Sequence, residues 1–293
     1  MTRAGIVTVV GKPNAGKSTL LNRIVGEKLS IVSSKPQSTR NRIVGIHTTA
    51  GVQMIVFDTP GLLNPRYKLQ ESMRAAALAA LNDADVVLHV VDATDSGFED
   101  LSTLAMLDRP LRAPVMVAFN KSDLLNANRI AELSVLHPTA VSISAADGNG
   151  VQELIARLGE MLPESPFLYP EDEVSTQSVR FFVSELIRET ALEQVEEELP
   201  YSIACEIEEF REAQSPVYIR TVLHVERDSQ KRILIGANGQ RIRAIGQAAR
   251  QKVEAFIGSP VYLDLWVKVL HNWRRDRNAL NRFGYSLPED RSP

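Results

Sequence analysis

The run Gly11-Lys12-Pro13-Asn14-Ala15-Gly16-Lys17-Ser18 sets two glycines, a lysine and a hydroxyl at the spacing G-x-x-x-x-G-K-[ST]. Such a run can wrap backbone N–H groups around phosphate oxygens, bring the Lys17 ammonium to the β- and γ-phosphates and offer the Ser18 hydroxyl to Mg²⁺. It carries that chemistry only between a strand and a helix. Apolar residues from Ile6 to Val10 precede it, and Thr19, Leu20, Leu21, Ile24 and Val25 continue it at helical spacing.

Phosphate chemistry alone does not choose a base. A second apolar run, Met54 to Phe57, ends in Asp58-Thr59-Pro60-Gly61. There the Asp58 carboxylate can hold Mg²⁺, and Gly61 lets a backbone N–H come close to a γ-phosphate. A third run ends at Asp92. A fourth, Val115 to Phe119, ends in Asn120-Lys121-Ser122-Asp123. The Asp123 carboxylate can accept two hydrogen bonds from guanine N1–H and N2–H₂, a donor pair adenine lacks. The Lys121 stem can lie along the purine, and Asn120 can tie this loop to the phosphate loop. After a fifth run comes Ser144-Ala145-Ala146, where a backbone N–H can donate to guanine O6. In open α/β sheets ligands bind outside the carboxyl ends of the strands. The ordered set therefore predicts GTP and GDP as ligands, with Mg²⁺ held by Ser18, Asp58 and one further hydroxyl.

That hydroxyl should come from the polar stretch Ser33-Ser34-Lys35-Pro36-Gln37-Ser38-Thr39-Arg40-Asn41-Arg42. Its place between the two phosphate motifs marks it as a switch, with Thr39 the expected ligand and Ser38 the weaker candidate. A second switch should start at Asp58 and run through Leu62, Leu63 and Tyr67; losing the γ-phosphate would release both. Lys17, Thr39 and Gly61 are the expected catalytic groups. Leu62 departs from the Ras-like pattern, in which a Gln after this glycine orients the attacking water. Slow intrinsic hydrolysis is expected, with the water placed by backbone, another residue or an ion. Asn14 has two readings: part of a K⁺ site between the phosphates, or a residue tolerating a tight turn.

For 293 residues two domains are expected, and 44% hydrophobic residues suffice to pack both. No apolar stretch is long enough to span a bilayer. The first strand follows the N-terminus directly, so no signal peptide is expected. The lone Cys205 excludes an internal disulfide and should pack in a strand as a small apolar residue. A helix over 150–162 is followed by Pro163, Pro166 and Pro170, which mark a linker. The expected division is 1–165, a linker 166–177, and 178–293.

From Val217 onward fourteen Lys and Arg face seven Asp and Glu, so a net charge of −3 hides a basic half and points to a polyanionic partner. A helical pattern from Ser178 to Leu199 and strand-like runs 202–210 and 217–226 lead to Ile235-Gly236-Ala237-Asn238-Gly239-Gln240-Arg241-Ile242. A second helical pattern reaches Ile257, and a closing strand covers 261–269. This α-β-β-α-α-β order, with G-x-x-G between two helices, is that of an RNA-clamping KH domain. Ile233, Ile235, Ile242 and Ile245 can floor a groove for bases, ringed by Lys231, Arg232, Arg241 and Arg243. Ala237 and Asn238 stand where many such loops carry a basic residue. The Trp273–Arg282 tail reads either as further RNA contact or as a solubilising face. The acidic cluster around Glu193, Glu196–Glu198, Glu206, Glu208 and Glu209 reads as a solvated side.

Together the segments G-K-P-N-A-G-K-S, P-Q-S-T-R-N-R-I-V-G-I-H-T, D-T-P-G-L, N-K-S-D, S-A-A-D-G, L-P-Y-S, I-L-I-G-A-N-G and L-D-L-W-V-K-V resemble the Era family of bacterial GTPases over essentially the whole chain. Ser38 replaces a usual Thr, while Thr39 is kept. The resemblance implies a P-loop NTPase with a Ras-like mixed sheet and helices on both faces, followed by an α+β type II KH domain. It also implies a monomeric factor for 30S subunit assembly that binds the 3′ end of small-subunit ribosomal RNA when GTP-loaded. Finally, it implies a cytoplasmic protein with peripheral association at the inner face of the membrane. Two other readings remain at this point: an RNA-modification GTPase, and an RNA-binding module indifferent to nucleotide. No second catalytic constellation supports the first of these, and intact Lys17, Asp58 and Asp123 oppose the second.

Overall fold

A computed structural model describes every residue except Ser34, Pro36, Ser96 and 288–293. Ser34 and Pro36 of the expected switch, and the end of the expected C-terminal domain, therefore lie outside the described residues. The chain divides into two compact units: residues 1–66 with 70–176, and 67–69 with 177 onward.

In the first unit the order is β1 (Arg3–Val10), α1 (Lys17–Val25), β2 (Ile43–Thr48), β3 (Val52–Asp58), α2 (Lys68–Asp83), β4 (Val86–Asp92), α3 (Leu101–Ala105), β5 (Val115–Asn120), α4 (Ala127–Leu136), β6 (Val141–Ser142) and α5 (Val151–Met161). One six-stranded sheet runs β2-β3-β1-β4-β5-β6. Only β2 is antiparallel to its neighbour. Strands buried on both faces need unbroken apolar runs, which is why Val7, Val9, Val10 and Val86 to Leu88 are fully inaccessible. The parallel register brings the carboxyl ends of β1, β3, β4 and β5 to one edge, and the ligand motifs sit there.

The outer edge of β2 is covered by chain that was read as linker. Ile46 N–H donates to the Val174 carbonyl at 2.9 Å, and the Ser175 hydroxyl donates to the Val44 carbonyl. Gln53, in β3 and wholly buried, accepts from the N–H groups of Leu168 and Tyr169 at 2.8 and 3.0 Å and donates to the Tyr169 carbonyl at 2.9 Å. An open strand edge is an aggregation hazard, and this returning segment closes it.

The second unit contains α6 (Val179–Glu193), α7 (Leu199–Ser202), β7 (Ala204–Arg211), β8 (Val217–Val225), α8 (Asp228–Ile235), α9 (Gln240–Ile257), β9 (Val261–Val269) and α10 (Arg277–Arg282). Ser178 starts α6 as N-cap, its hydroxyl accepting from Phe181 N–H at 3.2 Å. Its sheet runs β7-β8-β9, with β7 antiparallel and β9 parallel to β8. Val183 and Ile187 of α6, Ile245, Ala249 and Val253 of α9, and Ile219 and Leu223 of β8 form one core. Cys205 lies half-buried in β7, and burial pushes its thiol far above its usual range. Among the described residues no helix is long and apolar enough to cross a membrane.

Candidate nucleotide and nucleic-acid sites

The phosphate loop borders a cavity of about 330 Å³ that also takes in Ser33, Gln37, Ser38 and Thr39 of the polar stretch, with Thr59, Gly61 and Lys121. Three oxygen donors converge at its floor. Ser18 Oγ donates to Asp58 Oδ2 at 2.7 Å, and Thr39 Oγ1 lies 2.8 Å from Ser18 Oγ and 3.5 Å from Asp58 Oδ2. Ser30, which nothing in the sequence pattern marks, adds a fourth oxygen, its hydroxyl donating to the same Asp58 atom at 2.7 Å. Asp58 Oδ1 is buried with no hydrogen-bond partner. One carboxylate and hydroxyls, all hard oxygens and one of them orphaned, suit a small divalent cation that takes its remaining ligands from phosphate and water.

Burial raises the Asp58 carboxyl above its ordinary range against the opposing pull of Lys17 and three hydroxyls. Burial likewise lowers Lys17 to about 8, Asp58 opposing. The Lys17 ammonium donates to the Lys12 carbonyl at 2.8 Å, which turns it back over its own loop. The Lys12 side chain points elsewhere, 3.1 Å from Glu99 and 3.7 Å from Asp95. Asn14 is exposed with φ 62°, a left-handed conformation that asparagine accepts more readily than most residues. Gly61 packs against the loop so tightly that a Cβ there would fall 2.7 Å from Pro13 N.

Leu62 joins this contact by backbone alone, its N–H donating to the Gly11 carbonyl at 3.0 Å. Its side chain is 2% exposed among Val10, Ala77, Leu81 and Val87, so it faces the core and not the cavity. Gly11, Ala15, Thr19 and Pro60 complete the expected nucleotide set: Gly11 and Ala15 are buried in the loop, Thr19 borders the cavity and Pro60 is buried beside Gly61.

The base loops are cross-braced. Asn120 Nδ2 donates to the Ala15 carbonyl at 2.8 Å, and its Oδ1 accepts from Ala145 N–H at 2.9 Å. Ser144 N–H is taken by the Asn149 carbonyl at 2.9 Å. Of the expected triplet, Ala146 is thus the exposed residue whose N–H is not committed. Lys121, at φ 67°, bonds Asp92 through its ammonium. Burial would raise Asp92, but the bonds from Lys121 and Thr94 hold it below the usual carboxylate range. Sequence order marked Asp92 only as the end of a strand; its work is to fix the Lys121 stem. Asp123 follows, exposed, in the short turn after β5.

In the second unit, Gly236 ends α8 and Gly239, at φ 74°, starts α9. Ala237 and Asn238 are exposed between them. Arg241 donates to the Ile233 carbonyl at 2.6 Å and Arg243 to the Asn238 carbonyl at 2.9 Å; both arginines brace the loop from outside. Lys231 is half-buried and Arg232 exposed on α8. Ile235 and Ile242 are half-buried against the core. Ile245, expected in the groove floor, is wholly buried, because its position on α9 turns inward. A groove of about 350 Å³ runs between α9 and β9, lined by Ile242, Arg243, Gly246, Gln247, Arg250, Tyr262, Leu263 and Leu265. Its β9 wall was not foreseen, since pairing order alone makes β9 an edge.

Part of the tail is tied to the domain, while Arg275 stays exposed. Trp273 is fully buried and donates to the Ser202 carbonyl at 2.8 Å. Arg274 pairs with Glu226 and Arg282 with Glu206. The acidic cluster divides: Glu193 meets Lys252, Glu208 meets Lys268 and Glu209 meets Arg211, whereas Glu196, Glu197 and Glu198 are exposed.

Residues 6–121 match the family described as 50S ribosome-binding GTPase, and 198–274 match the KH domain family. GTPase Era of Carboxydothermus hydrogenoformans is 42% identical over 97% of this chain and 98% of its own length. GTPase Era of Ectopseudomonas mendocina is 44% identical over the same shares. Among solved structures, an Aquifex aeolicus Era variant bound to GDP·AlF4⁻ superposes with TM-score 0.90 at 39% identity, covering 98% of this chain and all of that one. Era in complex with MgGDPNP and nucleotides 1506–1542 of 16S ribosomal RNA superposes equally well at 38% identity over the same shares. At this identity over nearly the whole of both chains, with the same overall fold, the chain belongs to the GTPase Era family.

Proposed function

We propose that this chain is a GTP-hydrolysing switch whose KH domain, 178–293, binds the 3′ end of small-subunit ribosomal RNA. In this reading it assists maturation of the 30S subunit as a cytoplasmic monomer; residues 166–177, which pack on β2 and β3 of the nucleotide-binding domain 1–165, lead into the KH domain. The observation that carries the reading is the meeting of Ser18, Thr39 and Asp58 around one point at the floor of the phosphate-loop cavity. A loop hydroxyl brought to that point ties the loop's order to what the floor binds.

In the reaction, water attacks the γ-phosphorus and the bond to the β–γ bridging oxygen breaks, leaving GDP and phosphate. Lys17 holds the β- and γ-oxygens and offsets charge gathering on the leaving group. The Gly61 backbone approaches the γ-phosphate, and the close fit on Pro13 fixes its distance. Ser18, Thr39 and Asp58 would hold Mg²⁺, which would neutralise phosphate charge. Asp123 and the free N–H of Ala146 read guanine, with Lys121 along the ring. With the Leu62 side chain in the core, water is left to backbone groups, and intrinsic turnover is slow. Asn14 would hold a K⁺ ion whose charge lies between the phosphates; equal hydrolysis rates in K⁺ and Na⁺ buffers would leave Asn14 its turn role alone.

On the RNA side, the loop backbone from Gly236 to Gly239 holds phosphates. Ile235 and Ile242 face bases, and Lys231, Arg232, Arg241 and Arg243 supply charge. The test of the whole is binding of labelled 3′-end rRNA fragments with GDP and with a non-hydrolysable GTP analogue. Tighter binding with the analogue is expected; equal affinity overturns the switch.

A further inference from the structure

The outer face of the β7-β8-β9 sheet carries aromatic surface that the α9/β9 groove does not use. Strand alternation sends Ile219 and Leu223 into the core, while Tyr218 and Arg220 point to the other side. The parallel register Tyr218↔Tyr262 and Arg220↔Asp264 sets Tyr262, Asp264 and, two residues on, Trp266 on that same side. Tyr262 and Trp266 are 59% and 55% exposed, whereas the chain's other tryptophan, Trp273, is 0% exposed.

These side chains are held in place. The Tyr218 and Tyr262 rings stack at 5.8 Å with 11° between planes. Asp264 accepts from the Tyr218 hydroxyl at 3.1 Å, from Arg220 Nε at 3.0 Å and from Trp266 Nε1 at 2.7 Å. The Arg211 guanidinium lies 4.9 Å from the Tyr218 ring centroid. A single carboxylate thus orients three neighbours, so less freedom is lost when something docks on them.

Two observations select the occupant. Tyr262 lines the α9/β9 groove as well as stacking on Tyr218, so a strand crossing β9 out of the groove meets this face without a gap. The cations here are already matched: Arg211 by Glu209, Arg220 by Asp264 and Lys268 by Glu208. Stacking on aromatic faces takes any base, and the charge that tracks the phosphates stays in the groove, with Arg243 and Arg250. Aromatic residues on adjacent strands of an open sheet serve other RNA-binding domains in this way.

We propose that Tyr218, Tyr262 and Trp266 form a second, base-stacking subsite for single-stranded RNA that leaves the groove over β9. The proposal rests on the groove being the RNA interface. The test uses the full chain loaded with Mg²⁺ and a non-hydrolysable GTP analogue, and two RNAs. One spans about four nucleotides, the length a G-x-x-G loop clamps; the other extends it at both ends. The longer RNA should quench Trp266 fluorescence and the shorter should not, the buried Trp273 giving a constant background.

Trp266→Ala and Tyr218→Ala should each weaken the longer RNA about tenfold and leave the shorter unchanged. Trp266→Phe should keep the affinity and lose the quench. Unchanged affinity of Trp266→Ala for the longer RNA, with no quench in the parent protein, overturns the subsite. Gly239→Asp separates the two readings. If it loses both RNAs while Trp266→Ala loses neither, the groove stands and the subsite falls. If it loses neither while Trp266→Ala weakens the longer, the groove assignment is what fails.

Discussion

The phosphate loop 11–18 and the KH loop 236–239 each enter a helix through a left-handed glycine, Gly16 at φ 92° and Gly239 at φ 74°. Both leave helix N-terminal N–H groups of the kind that bind phosphate. Their surroundings differ. The first is walled in: Lys17 is 6% exposed and Asp58 fully buried, Asn120 braces the loop from β5, and Gly61 presses on Pro13. The second stands in solvent, with Arg241 and Arg243 bonded to its own neighbouring carbonyls. A single triphosphate is gripped by few strong contacts in a low-dielectric hollow, where each charge counts for more. A polymer is held by many weak contacts, screened by salt.

The largest expected effect breaks the walled loop. Lys17→Ala should weaken GTP and GDP by at least about a hundredfold, since it removes a buried, hydrogen-bonded charge; fluorescent-nucleotide titration checks it, and RNA binding in the absence of nucleotide should not change. Its counterpart is Gly239→Asp, which sets a carboxylate where phosphates pass. About a hundredfold loss of RNA affinity with unaltered nucleotide affinity is expected, and coupled loss of both would show that the loops are not independent. Asp123→Asn should cost about ten- to a hundredfold in GTP affinity and relax discrimination against adenine nucleotides, as competition with ATP would reveal.

Acid should expose the difference in burial. His89 lies behind the phosphate loop, bordering a small cavity with Lys12 and Pro13, and burial depresses its pKa to about 4. Between that value and 6.5 the unfolded chain binds the extra proton and the folded one does not. Stability therefore rises with pH across this window and falls on acidification, by on the order of 3 kcal/mol at its lower end. Calorimetry from pH 7 to 4 should find this slope shallower in His89→Phe. The smallest effect sharpens the open loop: Ala237→Lys should tighten RNA modestly and raise the salt slope of log affinity by about one.

Motifs that act through backbone and local spacing were legible in advance. G-x-x-x-x-G-K-S, D-T-P-G, N-K-S-D and G-A-N-G each lie within one turn or strand end, so residue order fixes their geometry. Apolar periodicity marked β3, β4, β5, α5, β8 and β9 to within about two residues, but the helical pattern drawn from Ser178 to Leu199 stops at Glu193, and β2, α2 and α4 were not marked. Thr39 was found through its position between two motifs.

What escaped depends on contacts between distant residues. Ser30 reaches Asp58 across 28 positions, and Asp92 holds Lys121 across 29. Gln53 looks like a stray polar residue in an apolar strand until the returning segment 168–169 fills its hydrogen bonds. Ile245 and Ile242 are alike in composition, but helix phase sends one to the core and leaves the other at the groove. Trp273 and the arginines around it read as a free basic tail, yet burial of the indole and pairing with Glu206 and Glu226 bind the tail to the sheet. The sequence by itself determined which ligands the chain can recognise, because those loops carry their chemistry locally. Only the tertiary structure decided which charges are spent internally and which remain for a ligand, because that follows from how distant elements pack.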